Sequence, residues 1–360
     1  MLPRRLCGVA GHRLSSSMLQ LRERGGSHID LEQLEVNMFR APKESFWVPL
    51  GGRGVFGGQI LGQALHAATR TVEGAIQRTW KAHSLHAHFL QKGDPSMDVI
   101  YLVRTTSERR SFVTRTVEGV QKGETIFTCQ ASFAKAPQNS TRQQLDHQRD
   151  MPEGLPEPED CVDAKDVVDD LCRSGSPLPE SVKDRLRDVK ALPVDVRMID
   201  HVPDILNPNP PKVPPRRKMW IRVEKIQKNS GLDECCAAYF SDHFLLVTAL
   251  LPHGVVFPSP RLGVVASLDH GMWFHDDFNA DEWILYDVYS PRLAYGRGLS
   301  IGHMYAKDSK RLCVTTVQEG LLRLARPSPA RLGVQLLLQA NKLYHDLMKK
   351  KRFSFFSSSS

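Results

Sequence analysis

VFGGQILGQALHAATRTV at residues 55–72 and CCAAYFSDHFLLVTALL at residues 235–251 decide the fold, because the same order of elements follows each. The first is opened by glycines and sets Ile60, Leu61, Ala64, Leu65 and Ala68 at the spacing of one buried helical face. Three strand-like runs come after it: HSLHAHFL (83–90), MDVIYLVRTT (97–106) and SFVTRTVEGVQKGETIFTCQASFA (111–134), the last turning at Lys122–Gly123. The second segment reads as helical through residue 251. VVASLDHGMWFH (264–275), EWILYDVYS (282–290) and GLSIGHMYAKDSKRLCVTTVQEGLL (298–322) follow it, with a turn near Asp308–Ser309. Short echoes sharpen the repeat: SLHAHF (84–89) returns as SLDHGMWF (267–274), and FTCQAS (127–132) as TTVQEG (315–320). Helix then strands, in duplicate, predicts an α+β protein of two units whose sheets each wrap a central helix and pack together.

Between the two blocks, residues 137–217 are Pro-rich and charged, with PEGLPEPED and NPNPPKVPP. This reads as a connector in which DAKDVVDDLC and ESVKDRLRDV are short helices. The formal charge of +8 sits at the two ends. Residues 1–26 hold five Arg and one Glu, and residues 326–360 hold seven Lys or Arg and one Asp, which leaves a net −2 between them. A near-neutral folded part argues against a nucleic-acid partner. The longest apolar run, FLLVTALL at 244–251, falls short of the roughly 20 residues of a membrane span. Seven scattered cysteines without a C-x-x-C pair predict buried, reduced thiols.

The first 26 residues read as a targeting segment: rich in Arg, Ser and Leu, with no acid before Glu23, they resemble a mitochondrial presequence. RLSSSMLQL, Arg13–Leu21, also resembles the loose N-terminal peroxisomal signal. The expected compartment is the peroxisomal matrix, with the mitochondrial matrix as alternative.

Three polar residues stand in otherwise apolar segments: Asp242 in AAYFSDHFLLVTAL, Ser267 ahead of LDHGMWFH, and Gln318 in CVTTVQEGLL. A carboxylate, a hydroxyl and an amide suffice to hold and deprotonate one water beside an electrophilic carbonyl. That predicts a hydrolase needing neither cofactor nor metal. Tyr239, Phe240, Phe244 and Leu245 would desolvate Asp242 and raise its pKa toward that of a useful base. The competing reading is that Ser241–Asp242 caps a helix starting at His243. No Asp or Glu lies between Val55 and Val72, so one working site per chain is expected, in the second half.

VFGGQ (55–59), DHGMWFH (269–275) and TVQEG (316–320), in this order and on a repeated scaffold, resemble the type II, TesB-like acyl-CoA thioesterases, in particular their peroxisomal branch. The likeness covers roughly residues 30–325. It implies a double hotdog fold and hydrolysis of acyl-CoA thioesters to free acid and CoA in fatty-acid metabolism. It also implies that Asp242, Ser267 and Gln318 form the catalytic set and that acyl-CoA is the partner; the exposed edges of the expected sheets favour a homodimer. The corresponding division is a targeting-like extension at 1–26, one hotdog at 27–136, a linker at 137–217, a second hotdog carrying the trio at 218–325, and a basic tail at 326–360. The tail departs from the peroxisomal relatives, which usually close with S-K-L soon after the QEG strand.

Backbone N–H groups of Gly57 and Gly58 are the expected oxyanion donors, with close helix packing as the other reason for those glycines. Arg115, Arg109, Arg110 and Lys92 are candidates to meet CoA phosphates. GLSIG (298–302) matches the G-x-S-x-G elbow, so a serine hydrolase using Ser300 is one alternative. That motif needs a strand–turn–helix context, and here it falls within a strand. A non-catalytic acyl-CoA-binding scaffold is another. His83, His86 and His88, like His270, His275 and Asp276, have the composition of a metal cluster without its ligand spacing.

Overall fold

The glycine-opened segment folds as helix α1 (Gly57–Arg70), and the second apolar segment as helix α4 (Asp233–Ser241). The two lie backbone to backbone. A Cβ at Gly58 would stand 2.2 Å from the Tyr239 carbonyl oxygen, and one at Gly62 would stand 2.8 Å from that of Cys235. Glycines one helical turn apart thus admit the partner's backbone. The structure is a computed structural model that describes residues 28–72, 79–135, 145–200, 204–207, 209–224 and 231–326. The targeting-like segment and the basic tail beyond Arg326 lie outside the described residues.

α4 does not continue to residue 251. It stops at Ser241, Asp242 is its C-cap, Phe244 has φ 61°, and a 3-10 helix then runs Leu246–His253. Asp233–His253 is long and apolar enough to cross a membrane by length and composition alone. It is instead a broken core segment, most of it buried within the protein.

Around the helices runs one sheet in which every described pairing is antiparallel. The first half supplies β1 (Glu32–Glu35), β2 (Met38–Ala41), β3 (Trp80–Phe89), β4 (Val99–Glu108), β5 (Phe112–Gln121) and β6 (Glu124–Lys135). Lys122 and Gly123, both at positive φ, make the two-residue hairpin between β5 and β6. The second half supplies β9 (Arg216–Val223), β10 (Leu262–Ser267), β11 (Asp269–Phe274), β12 (Ile284–Ala294), β13 (Arg297–Ala306) and β14 (Leu312–Leu324). β3 and β11 pair directly, Gly271 opposite His86, and so fuse the two sheets at their centre. Two helices, each against its own half of a joined antiparallel sheet, are the double hotdog architecture.

The Pro-rich stretch is more than a connector. The expected short helices form as α2 (Ala164–Cys172) and α3 (Glu180–Lys190), but β7 (Val162–Asp163) and β8 (Val194–Met198) also extend the second sheet beyond β9. The segment before β7 lies across that sheet's outer face. Arg149 reaches the buried Asp287 at 3.1 Å, and Trp220 donates its indole N–H to the Pro156 carbonyl at 3.0 Å. Met151 and Leu155 cover the Trp220–Leu285–Tyr305 cluster.

Candidate active site

Asp242, Ser267 and Gln318 come together, although 76 residues separate the first from the last. The Gln318 amide nitrogen donates to Asp242 Oδ1 at 2.6 Å and to Ser267 Oγ at 2.8 Å. A carboxylate can only accept, so this contact assigns the amide's orientation. Gln318 points inward from β14 and is fully buried, while Ser267 ends β10 half-buried.

Asp242 is held from the other half of the molecule as well. The Gly58 N–H donates to its Oδ2 at 3.0 Å across 184 residues of sequence. A Cβ at Gly57 would stand 2.9 Å from the same oxygen and 3.2 Å from the Phe89 ring. Both glycines therefore permit the close approach of a carboxylate to the start of α1, where the helix dipole favours negative charge. Gly58 is corrected as a free oxyanion donor, because its N–H is taken by Asp242; Gly57 N–H sits beside it at the first position of the helix.

Burial pushes the Asp242 carboxyl up to about 6, against the downward pull of the hydrogen bonds from Gln318 and Gly58. Desolvation wins because the walls are apolar or neutral. His243, next in sequence, is pushed down to about 4 by burial and packs as a neutral ring on Phe56, Tyr239 and Trp47. The helix-cap reading is not met: no helix starts at His243, and Asp242 instead ends α4, its side chain bound by Gly58 and Gln318.

Arg115 is not at this site. It is buried, and its guanidinium donates to the Thr71 hydroxyl and carbonyl just past the C-terminal end of α1 and to Glu108 at 2.6 Å. α1 is 14 residues long, so at 1.5 Å per residue its far end lies about 20 Å from Gly57. Arg109 and Arg110 occupy the β4–β5 turn. Lys92 does lie near the site: its chain packs where Gly54 has no side chain, a Cβ there standing 2.5 Å from Lys92 Cγ.

Ser300 lies mid-strand in β13, fully buried and opposite Gln318, not on a strand-to-helix turn. Neither Ser300 Oγ nor Gln318 Oε1 has a hydrogen-bond partner among the described residues. The glycines of GLSIG are explained by packing: a Cβ at Gly302 would stand 2.3 Å from the Tyr286 ring, and one at Gly298 2.8 Å from Leu322. The histidines are dispersed in other contacts, His83 with Ser132, His275 with Thr315, His86 against the Trp273 ring. No metal-binding group of three occurs among the described residues.

The sequence reading missed a buried layer behind the trio: Ser241, His270, Tyr286 and Thr316. The available signal was polar residues on otherwise apolar faces, which DH in DHGMWFH and TT in TTVQEG provide.

Comparison with known proteins gives one consistent result. Residues 45–134 match the family described as the acyl-CoA thioesterase N-terminal domain, and residues 195–321 match the acyl-CoA thioesterase family. The chain is 37% identical to acyl-coenzyme A thioesterase 8 of Mus musculus over 308 residues, covering 83% of this chain and 88% of the mouse protein. The solved structure of the acyl-CoA thioesterase II TesB2 of Mycobacterium marinum superposes with a TM-score of 0.61 at 34% identity, over 83% of this chain and 97% of that one. A hot dog fold protein from Alicyclobacillus acidocaldarius shares the architecture at a TM-score of 0.59 and 16% identity, over 85% of this chain and 99% of its own.

Proposed function

The chain belongs to the TesB-like type II acyl-CoA thioesterases, hydrolysing acyl-CoA thioesters to free acid and CoA, and from that premise we propose that Asp242 is the general base. What carries the reading is a carboxylate with its pKa raised to about 6, anchored by Gln318 and by the Gly58 amide. At that pKa the group is ionised at neutral pH yet basic enough to accept a proton from water. Ser267 accepts its hydrogen bond from Gln318, which leaves its own hydroxyl hydrogen for the attacking water or the thioester.

Water oxygen adds to the thioester carbon as its proton passes to Asp242. Negative charge moves to the former carbonyl oxygen, facing the Gly57 N–H and the positive end of α1. Collapse of the tetrahedral species breaks the carbon–sulfur bond. The thiolate leaves with the proton that Asp242 took, and Asp242 is returned as carboxylate. Lys92 and Arg53, neither with an ion-pair partner among the described residues, meet the CoA phosphates at the rim, supported by their place on either side of Gly54.

The test is free CoA release from a panel of acyl-CoAs by wild type and D242N. Release by wild type alone supports the base. Release by both removes Asp242 from the chemistry, and tight binding without release by either leaves an acyl-CoA-binding scaffold. We place the activity in fatty-acid metabolism in the peroxisomal matrix, supported by the RLSSSMLQL match; imaging with and without residues 1–26 separates this from the mitochondrion. A homodimer is the assembly we expect, to be read from the solution mass.

A further inference from the structure

The proposed base stands at the end of a nine-residue helix. Helix ends carry unsatisfied carbonyls and fray first, yet a reacting group misplaced by 1 Å loses about 100-fold in rate. Four buried side chains secure this end. Tyr286, on β12, donates its phenol to the Ser241 carbonyl at 2.6 Å, closing one of the groups the helix leaves open. Ser241 Oγ donates to the Ala238 carbonyl at 2.9 Å, so its oxygen accepts from His270 Nε2 at 3.0 Å. That assigns the imidazole proton to Nε2. The same nitrogen lies 2.7 Å from Thr316 Oγ1.

The placement of these four side chains ties together the elements that carry the trio. Ser241 immediately precedes Asp242. Thr316 shares the inward face of β14 with Gln318. His270 is on β11, the strand that follows Ser267 directly. One imidazole therefore bridges α4 to β14 from the strand between Ser267 and the centre of the sheet. Burial pushes its pKa down to about 3, so it works as a neutral donor. Gly302 leaves the space that Tyr286 and Thr316 fill.

We propose that His270 and Tyr286 are positioning residues for thioester hydrolysis, acting through Ser241 and Thr316 to hold Asp242 against Gln318 and Gly58. This rests on Asp242 being the base. Tyr286 on β12 faces that carboxylate and His243 follows it in the chain, with His270 on β11 behind Ser241 and Arg217 of β9 stacked on the Phe244 ring. Only Arg217 among them carries charge at neutral pH, and it does so with its pKa pushed down to about 10 by burial.

The experiment compares H270L, H270Q, Y286F and D242N in full-length protein by kcat, KM, melting temperature and the pH profile of kcat/KM. H270L and Y286F are expected to lower kcat about 10- to 100-fold at unchanged KM. Their acidic limb should move upward, because a displaced carboxylate loses the two hydrogen bonds that hold its pKa down. H270Q, whose amide nitrogen reaches the Nε2 position, should recover both kcat and the limb. Y286F removes one oxygen and keeps the ring, so it remains informative if H270L does not fold. Folded H270L or Y286F with wild-type kcat and an unmoved limb overturns the proposal, as does H270Q no better than H270L. Activity in D242N would instead overturn the base itself.

Discussion

The two halves of the sheet wrap their helices alike and treat their interiors oppositely. On β6 the inward positions are Phe127, Cys129, Ala131 and Phe133, all apolar; on β14 they are Val314, Thr316, Gln318, Gly320 and Leu322. α1 runs unbroken for 14 residues, whereas α4 stops after nine at the carboxylate it presents. The first half is thus a packed wall, and the second gives up core continuity to place polar groups where water is scarce. The polar departures lie in one copy, and the other meets them with the start of α1, whose Gly58 amide binds the Asp242 carboxylate.

The largest effect expected is from D242N: kcat should fall by about 10³-fold in the CoA-release assay. The same variant should be more stable than wild type at neutral pH. With the folded pKa raised from 3.8 to about 6, the native state holds its proton more tightly than the unfolded chain. The stabilisation from that proton is present below pH 3.8 and lost as pH rises through about 6. Asparagine removes that loss, and thermal melts at pH 5 and pH 7.5 should show the gain growing with pH, larger at pH 7.5 than at pH 5. An inactive D242N that melts lower at pH 7.5 would break the contrast between a strained half and a relaxed one.

Q318L comes next, with kcat lower by about 100-fold. The wild-type profile of kcat/KM should fall below pH about 6, and Q318L should shift that limb upward, since the Gln318 bond lowers the Asp242 pKa. G58A sharpens the comparison from the other side. Its Cβ would stand 2.2 Å from the Tyr239 carbonyl, so the helices must part, at a loss of about 1–3 kcal/mol by denaturant melt. Activity should fall with it, because the amide leaves Asp242. The smallest effect belongs to Q130A. Although FTCQAS echoes TTVQEG, Gln130 faces outward and is exposed, so kcat and stability should stay within about 0.5 kcal/mol of wild type.

That echo shows where sequence was enough and where it was not. The 3.6- and 2-residue periods made both helices and most strands legible, and polar residues in apolar runs made the trio legible. The two glutamines aligned in letters, but a one-residue slip turns a strand's side chain to the opposite face, and only pairing register reveals it. The break after Ser241 was hidden because a 3-10 helix of Leu246–His253 has the same apolar composition as an α-helix. VDVRM was too short and too charged, next to a proline, to read as β8. Arg115 was misplaced because a buried arginine sits well wherever carbonyls and a carboxylate meet it, and here they do so at the far end of α1. The Gly58–Asp242 contact, with no local signature at all, belongs to tertiary structure alone.

That contact spans 184 residues, and Gln318 lies 76 further on. On the ribosome, the wall with its amide therefore emerges long before the carboxylate, and the amide side chain that orients the carboxylate emerges last. On the proposed mechanism, a nascent or truncated chain ending short of Gln318 lacks the amide that holds the base, so an interrupted translation product should cleave acyl-CoA far more slowly than the whole chain.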